Sequence, residues 1–392
     1  MLYNNDCIGK LLGLEDVIVK SVERKEGKCL IEIEMELRTQ TCPRCGNTTK
    51  KVHDYRKQAV TDAPIQWANT VLLLRKRRYV CGFCDKRIIE EISFLPKYHR
   101  STTRLFAGVL GQCAKAKPFK EIAQETGLSQ TTVSRIFDKV NYGKSTLGAV
   151  LSFDEFRGNA GGEKFQFILT DPEHRKVLDI LPDRKQETLY KYFSGFSNRK
   201  DVKYVVIDMS RVYRDVARTC FPNAKIVIDK FHVVRQMLWA FERVRKDEQK
   251  KFTDERRVYF KKSRTLFMKK PKNLKESQSD QITAMLNISE RLRMAYTIIK
   301  EFYEFMESKN SKQACKALGR FMMLQNYNLP EFDSVFRMIS NWDKYILNAF
   351  DVPYTNGYTE GVNNKIKVLK RISYGVRNFE RFRNRILHMM SA

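Results

Sequence analysis

Two short β-branched runs, Ala149-Val150-Leu151-Ser152-Phe153 and Tyr204-Val205-Val206-Ile207, each end directly on an aspartate, Asp154 and Asp208. Runs this short and this apolar read as strands buried on both faces, which requires a sheet covered by helices. An acid at the C-terminal tip of such a strand lies on the rim where open α/β sheets bind ligands. A third acid, Glu360, follows far downstream in Thr355-Asn356-Gly357-Tyr358-Thr359-Glu360-Gly361-Val362-Asn363-Asn364-Lys365, at the start of a strongly basic helix. Acids on neighbouring strands repel unless something positive sits between them. Hard Mg²⁺, held by a few carboxylates and by substrate phosphates, is the usual answer. A third acid on a helix closes a two-metal site able to activate a nucleophile and stabilise a leaving oxygen on phosphorus. Any one of the three acids alone is as readily a turn former; the set points to a site.

The pattern around them predicts strands at 149–153, 165–169, 176–180, 204–207 and 226–228, and helices at 186–196, 211–220 and 232–244. That order suits a mixed sheet with helices on both faces. The right-handed crossover preference brings the fourth strand beside the first, making Asp208 the neighbour of Asp154. Glu155 then points to the opposite face and is structural. Asp229 and His232 flank the tip of the last strand as supporting residues. Asn363, Asn364 and Lys367 share the helix face of Glu360 and suit contacts to a phosphate backbone. Lys370, Arg371, Arg377, Arg381, Arg383 and Arg385 extend that basic surface. From 244 to about 348 runs a long, mostly helical insertion, helical in period over 288–306 and broken by Pro271 and the polar stretch 276–280. It reads equally as a solvated hairpin or as a DNA-holding or protomer-bridging body.

Nine cysteines do not make a disulfide framework here. Two tight pairs, Cys42-Pro43-Arg44-Cys45-Gly46 and Cys81-Gly82-Phe83-Cys84, set four thiolates on two knuckles, the donor set of a closed structural Zn²⁺ site. Iron fits the same four sulfurs. The scattered Cys7, Cys29, Cys113, Cys220 and Cys315 read as buried free thiols. Alternation over 30–37 predicts a half-buried strand, and Thr70-Val71-Leu72-Leu73-Leu74 a strand leading into the second knuckle. Arg75-Lys76-Arg77-Arg78 adds positive charge to that module.

The stretch 118–137 predicts a helix-turn-helix, with Ile122, Ala123, Leu128, Val133 and Ile136 inward. Gly127 allows the tight turn and Ser129 caps the second helix. Gln130, Thr131, Ser134 and Arg135 face outward, where such helices meet base edges. The formal net charge of +28 over 392 residues, with an isoelectric point near 9.7, suits a partner made of phosphates. No apolar stretch approaches the ~20 residues of a membrane-spanning helix. The opening Met1-Leu2-Tyr3-Asn4-Asn5-Asp6 lacks the zones of a signal peptide, so a cytoplasmic, nucleoid-associated protein is expected.

Five segments carry a family likeness: Phe153-Asp154-Glu155-Phe156, Ile207-Asp208-Met209-Ser210, Phe221-Pro222-Asn223-Ala224, Asp229-Lys230-Phe231-His232-Val233, and the stretch from Thr355 through Lys370-Arg371-Ile372-Ser373-Tyr374-Gly375. They resemble the RNase H-like core of DDE transposases and, more closely, the ISL-three family of insertion-sequence transposases, in which a zinc module and a helix-turn-helix also precede the core. The resemblance implies a multidomain α/β protein. Its parts would be a zinc-binding module over 1–95, a helix-turn-helix domain over 96–145, an RNase H-like core over 146–245 and 348–392, and a helical insertion over 246–347. It implies a catalytic triad of Asp154, Asp208 and Glu360 holding two Mg²⁺ (or Mn²⁺), beside one structural Zn²⁺ on Cys42, Cys45, Cys81 and Cys84. The implied activity is metal-dependent cleavage and strand transfer on double-stranded DNA, at terminal inverted repeats and target, by a homodimer or higher oligomer. Gln130, Thr131, Ser134, Arg135, Arg75, Lys76, Arg77, Arg78, Asn364, Lys367, Lys370 and Arg371 are the expected DNA contacts. The alternative is a non-enzymatic DNA-binding regulator using the same zinc and helix-turn-helix modules.

Overall fold

The structure, a computed structural model, describes residues 9, 12–14 and 16–391; the opening residues read for a signal peptide, and Cys7, lie outside them. The chain divides into two compact units, Met1–Gly143 with Ile366–Ala392, and Lys144–Lys365. No helix among the described residues is long and apolar enough to cross a membrane.

In the first unit, β1 (Val17–Lys25) and β2 (Lys28–Met35) form an antiparallel hairpin. A two-residue ladder joins β3 (Gln40–Thr41) to β4 (Thr48–Thr49). The long hairpin of β5 (Val52–Ile65) and β6 (Ala68–Val80) turns at Gln66 and Trp67, both at positive φ as a tight two-residue hairpin loop demands. β6 also pairs in parallel with β2 and antiparallel with β7 (Arg87–Ile89). Ile31, Ile33, Leu72 and Leu74 alternate into one apolar cluster. The expected strands are present, and β6 runs on through the basic stretch 75–78.

Helices α1 (Thr103–Cys113), α2 (Phe119–Thr126) and α3 (Gln130–Phe137) bury Leu105, Val109, Ile122, Val133, Ile136 and Phe137 together. Gly127 closes α2 in the left-handed region, and a side chain there would collide with Asn69. Ser129 accepts the Thr132 N–H, capping α3 as its sequence predicts.

The second unit is a mixed sheet in the order β10-β9-β8-β11-β12. β8 (Val150–Phe156), β9 (Gln166–Asp171) and β10 (Lys176–Leu181) are antiparallel neighbours; β11 (Tyr204–Ile207) and β12 (Lys225–Ile228) run parallel to β8. Phe153 and Phe167 turn to the face covered by α4 (Gln186–Ser194) and α5 (Arg211–Cys220), where they pack on Phe193, Tyr213 and Phe221. The long helix α6 (Lys230–Lys250) leads into α7 (Asp254–Lys262), α8 (Arg264–Phe267), α9 (Glu276–Ile288), α10 (Glu290–Met306), α11 (Ser311–Met323) and α12 (Pro330–Asn348). Pro271 opens a one-turn 3₁₀ break, but the polar stretch 276–280 starts a helix instead of breaking one. The insertion shares one continuous apolar cluster with the sheet, so it is a packed body, not a solvated hairpin. Helix α13 (Gly357–Ile372) begins in this unit and ends in the first, followed by α14 (Phe379–Ser391).

Candidate active site

Strand register sets the site. β11 pairs with β8 so that Val206 stands opposite Ser152, which puts Asp208 level with Asp154 two residues on. β12 pairs with β11 with Ile228 opposite Ile207, which puts Asp229 level with Asp208. Three carboxylates thus line the C-terminal edge of three adjacent parallel strands. Asp229 donates its N–H to the Ile207 carbonyl at 3.0 Å and accepts the Phe231 N–H at 3.2 Å, capping α6.

Helix α13 is tied to the same face of the sheet by polar contacts. Ser152 sits two residues before Asp154, hence on its face, and donates to Asn356 Oδ1 at 2.6 Å. Its hydroxyl is also 2.9 Å from that of Thr359, which in turn lies 2.7 Å from that of Thr170. One turn on, Asn363 donates from Nδ2 to Asp154 Oδ2 at 2.9 Å. Glu360 lies between these anchors, exposed, its N–H bonded to the Asn356 carbonyl. Its charge reaches Asp229 and His232.

Burial and mutual repulsion leave the row of acids short of positive charge. Burial, aided by the charges of Glu155, Asp208 and Asp229, pushes Asp154 up to about 7, although the Glu155 N–H works against it. Burial and the Glu155 charge raise Asp208 to about 6. Burial also raises Asp229, with Glu360 adding repulsion. His232 is held below its usual value by burial and by the Arg235 guanidinium, which bonds its Nδ1 at 2.8 Å. Asp208 Oδ1 is buried with no hydrogen-bond partner. An orphaned carboxylate oxygen among neighbours of raised pKa fits a divalent cation, which would satisfy the oxygen and hold the acids ionised. Asp154, Asp208 and Glu360 are not drawn into a ligand cluster within 4.8 Å by themselves, as three like charges would not be. Glu155 faces the other way, accepting the Tyr213 hydroxyl at 2.6 Å and an ion pair from Arg184.

Sequence reasoning missed Ser152, Thr170, Asn356 and Thr359. Ser152 had a signal, a lone hydroxyl in an apolar strand on the face of Asp154. Thr170 and Thr359 had none, since their contact joins residues 189 apart.

The four paired cysteines do converge. Their sulfurs lie within 4.8 Å of one another, with Cys42 to Cys84 at 3.5 Å and Cys45 to Cys81 at 3.6 Å. Four sulfurs at ~2.3 Å from one Zn²⁺ stand ~3.8 Å apart, so the cluster fits structural zinc. The two knuckles share one backbone form. Gly46 and Asp85, each at positive φ, return their N–H to the Cys42 and Cys81 carbonyls. Burial acts to raise Cys42, but the N–H groups of Arg44 and Cys45 bring its thiol down to about 6, ready to bind as thiolate.

A family profile described as transposase, of the DDE class and ISL3 group, matches residues 151–386. Profiles described as the zinc finger of transposases IS204, IS1001, IS1096 and IS1165, and as the helix-turn-helix domain of transposase family ISL3, match residues 38–84 and 90–141. The chain belongs to the ISL3 family of transposases. It is 27% identical over 398 residues to the transposase for insertion sequence element IS1001 of Bordetella parapertussis, covering 97% of each chain. It is 23% identical over 244 residues to the transposase for insertion sequence element IS1557 of Mycobacterium tuberculosis, covering 55% of this chain and 54% of that one.

This transposase does not present every expected DNA contact to solvent. Gln130, Thr131 and Arg135 are exposed on α3, with Ser134 half-buried beside them. Arg77 points inward from β6, buried, donating to the Met35 carbonyl at 2.6 Å and pairing with Glu90 at 3.0 Å. Alternation along β6 puts Arg77 on the face of Arg75, opposite that of Leu72 and Leu74; it is the acids there, Glu90 and Glu34, that draw it inward. Arg78 forms an ion pair with Asp54, and Arg75 lies 3.8 Å over the Tyr55 ring and 3.4 Å from Glu34. Lys76 is half-buried. On α13, Asn364, Lys367 and Arg371 are exposed and Lys370 half-buried. Arg383 and Arg385 belong to the first unit's interior, where they donate to the Tyr142, Lys115 and Lys117 carbonyls.

Proposed function

We propose that this transposase binds the terminal inverted repeats of its element and performs metal-dependent strand cleavage and strand transfer from an RNase H-like core. The observation that carries the reading is the alignment of Asp154 and Asp208 at one sheet edge, with the Glu360 helix fastened to Asp154 through Asn363. The strand order, three antiparallel neighbours followed by two parallel ones, supports the RNase H-like assignment. The functional domains are read as 1–95, 96–145, 146–245 joined with 348–392, and the insertion 246–347.

Asp154, Asp208 and Glu360 would hold two Mg²⁺ or Mn²⁺. When bound, such ions polarise the scissile phosphate and lower the pKa of the attacking hydroxyl. The chain's own residues supply placement. Ser152, Asn356 and Thr359 hold the helix of Glu360 against the strand of Asp154, and Asn363 fixes the rotation of the Asp154 carboxylate. Water attacks phosphorus at the element end and the strand leaves with a 3′ hydroxyl. That hydroxyl then attacks a target phosphate in line, releasing a target 3′ oxygen. Gln130, Thr131, Ser134 and Arg135 read base edges. Arg75, Lys76, Arg78, Asn364, Lys367, Lys370 and Arg371 hold phosphates, and a homodimer or higher oligomer brings two ends together.

The test is incubation of the purified protein with a duplex carrying the element end, with and without Mg²⁺. Cleavage leaving a 3′ hydroxyl, only with the ion, is expected. Specific binding without cleavage in either Mg²⁺ or Mn²⁺ would favour a DNA-binding regulator.

A further inference from the structure

The first unit contains a groove of about 1230 Å³ with two unlike walls. One is the outer face of α3, with Gln130, Thr131, Ser134 and Arg135; the other is the loop between α13 and α14, with Tyr374, Gly375 and Arg377. Its two acids are already engaged, Glu121 with Lys117 and Asp138 with Arg381. Lys120, Arg135 and Arg377 are exposed with no ion pair among the described residues, so the groove carries uncompensated positive charge.

Helix α14, which follows the second wall, is fastened to the first. Arg381 grips Asp138, the residue that closes α3, through two bonds of 2.7 Å. Arg385 stacks over Phe119 and Phe137 at 4.9 and 5.5 Å. Asn384 donates to the Val140 carbonyl, and His388 meets both the Tyr142 hydroxyl and the Leu110 carbonyl.

Tyr374 is the anomaly in this wall. It follows α13 in the left-handed region, φ +51, with Gly375 next at φ +93. That first position is one where helices favour glycine, because a bulky side chain is strained there. The residue is 96% exposed, so no packing offsets the strain. Strain kept without a folding benefit marks a position held for contact with something else.

We infer that the 373–378 loop is a second DNA-gripping element of the end-binding unit, with Tyr374 and Arg377 on the phosphate backbone of the duplex whose base edges α3 reads. The inference rests on the helix-turn-helix reading. Duplex DNA is the occupant the walls favour: one carries the side chains of a base-reading helix, and the other offers a phenol and a guanidinium, both donors to phosphate oxygens.

The experiment uses the full chain, an end-of-element duplex and an unrelated duplex of equal length. Tyr374→Gly should raise or preserve the melting temperature while weakening binding of the end duplex roughly three- to tenfold. Arg377→Ala, at an exposed position, should weaken binding of both duplexes and flatten the salt dependence. Hydroxyl-radical footprints of both variants should lose protection at one edge and keep the centre read by α3. Arg135→Ala separates the two levels. If it weakens end binding while Tyr374→Gly and Arg377→Ala leave affinity and footprint unchanged, the loop has no such role. If Arg135→Ala also leaves end binding intact, the helix-turn-helix reading fails and the inference falls with it.

Discussion

Asn363 Nδ2 donates to Asp154 Oδ2 across 2.9 Å, joining the helix of Glu360 to the strand of the first acid. The other amide atom, Asn363 Oδ1, is buried without a partner, so the side chain is committed to this contact. Its role is positioning. A ligating carboxylate that loses its orienting partner costs about 10–100-fold in metal affinity or activity.

Asn363→Ala should therefore lower cleavage by about that factor and shift the Mg²⁺ dependence to higher concentration. Asn363→Asp, which sets a like charge against Asp154, should do worse. A loss of rate with unchanged metal dependence would reduce Asn363 to a purely structural residue.

The raised acids tie stability to pH. Asp154, near 7 when folded against an ordinary aspartate's 3.8, keeps its proton in the folded state over a window where the unfolded chain has lost it. Folded stability is then full below about pH 4 and falls as pH rises to 7, by up to roughly 4 kcal/mol from this residue. In chelator, Asp154→Asn should melt above wild type at pH 8, and the gap should shrink toward pH 4.5. A gap independent of pH would show that Asp154 is not held protonated by its surroundings.

Four convergent thiols predict about one tightly bound Zn²⁺ per chain by elemental analysis. Cys42→Ser and Cys84→Ser should each release it and loosen the first unit, seen as faster proteolysis between residues 38 and 90. Retention of full zinc by both variants would contradict the site.

Arg77 and Arg135 should separate folding from reading. Arg77→Ala strands the buried Glu90 carboxylate and should destabilise the fold by about 3–5 kcal/mol. Arg135→Ala should leave stability unchanged and cost about 1–3 kcal/mol on the cognate end, with little change on random DNA. Equal losses on both duplexes would move Arg135 to the phosphate-contact class.

These contrasts also mark where the sequence is legible. The strands of Asp154 and Asp208 announce themselves because β-branched runs are local, and crossover handedness then suffices to make the two acids neighbours. Gly127 and Ser129 announce the helix-turn-helix for the same reason: a left-handed closure and a cap are local chemistry. The basic run 75–78 misleads because four consecutive bases suggest a solvated face, whereas Arg77 is drawn inward by a Glu90 thirteen residues away. Arg383 and Arg385 mislead likewise, since the carbonyls they satisfy lie 241 to 270 residues earlier. The polar lock of Ser152, Thr170, Asn356 and Thr359 exists only once the sheet and α13 meet, and no periodicity encodes it.

The most direct test of the account is cleavage of an end-of-element duplex in Mg²⁺ by Asp208→Ala and Glu360→Ala, measured beside their binding of the same duplex. Both variants should bind as wild type does, since neither residue is among the proposed DNA contacts, and both should fail to cut or join strands. Severe loss from either single change is expected because residues of one site act as a unit. Cleavage at the wild-type rate by either variant would contradict the assignment of Asp154, Asp208 and Glu360 as the catalytic acids.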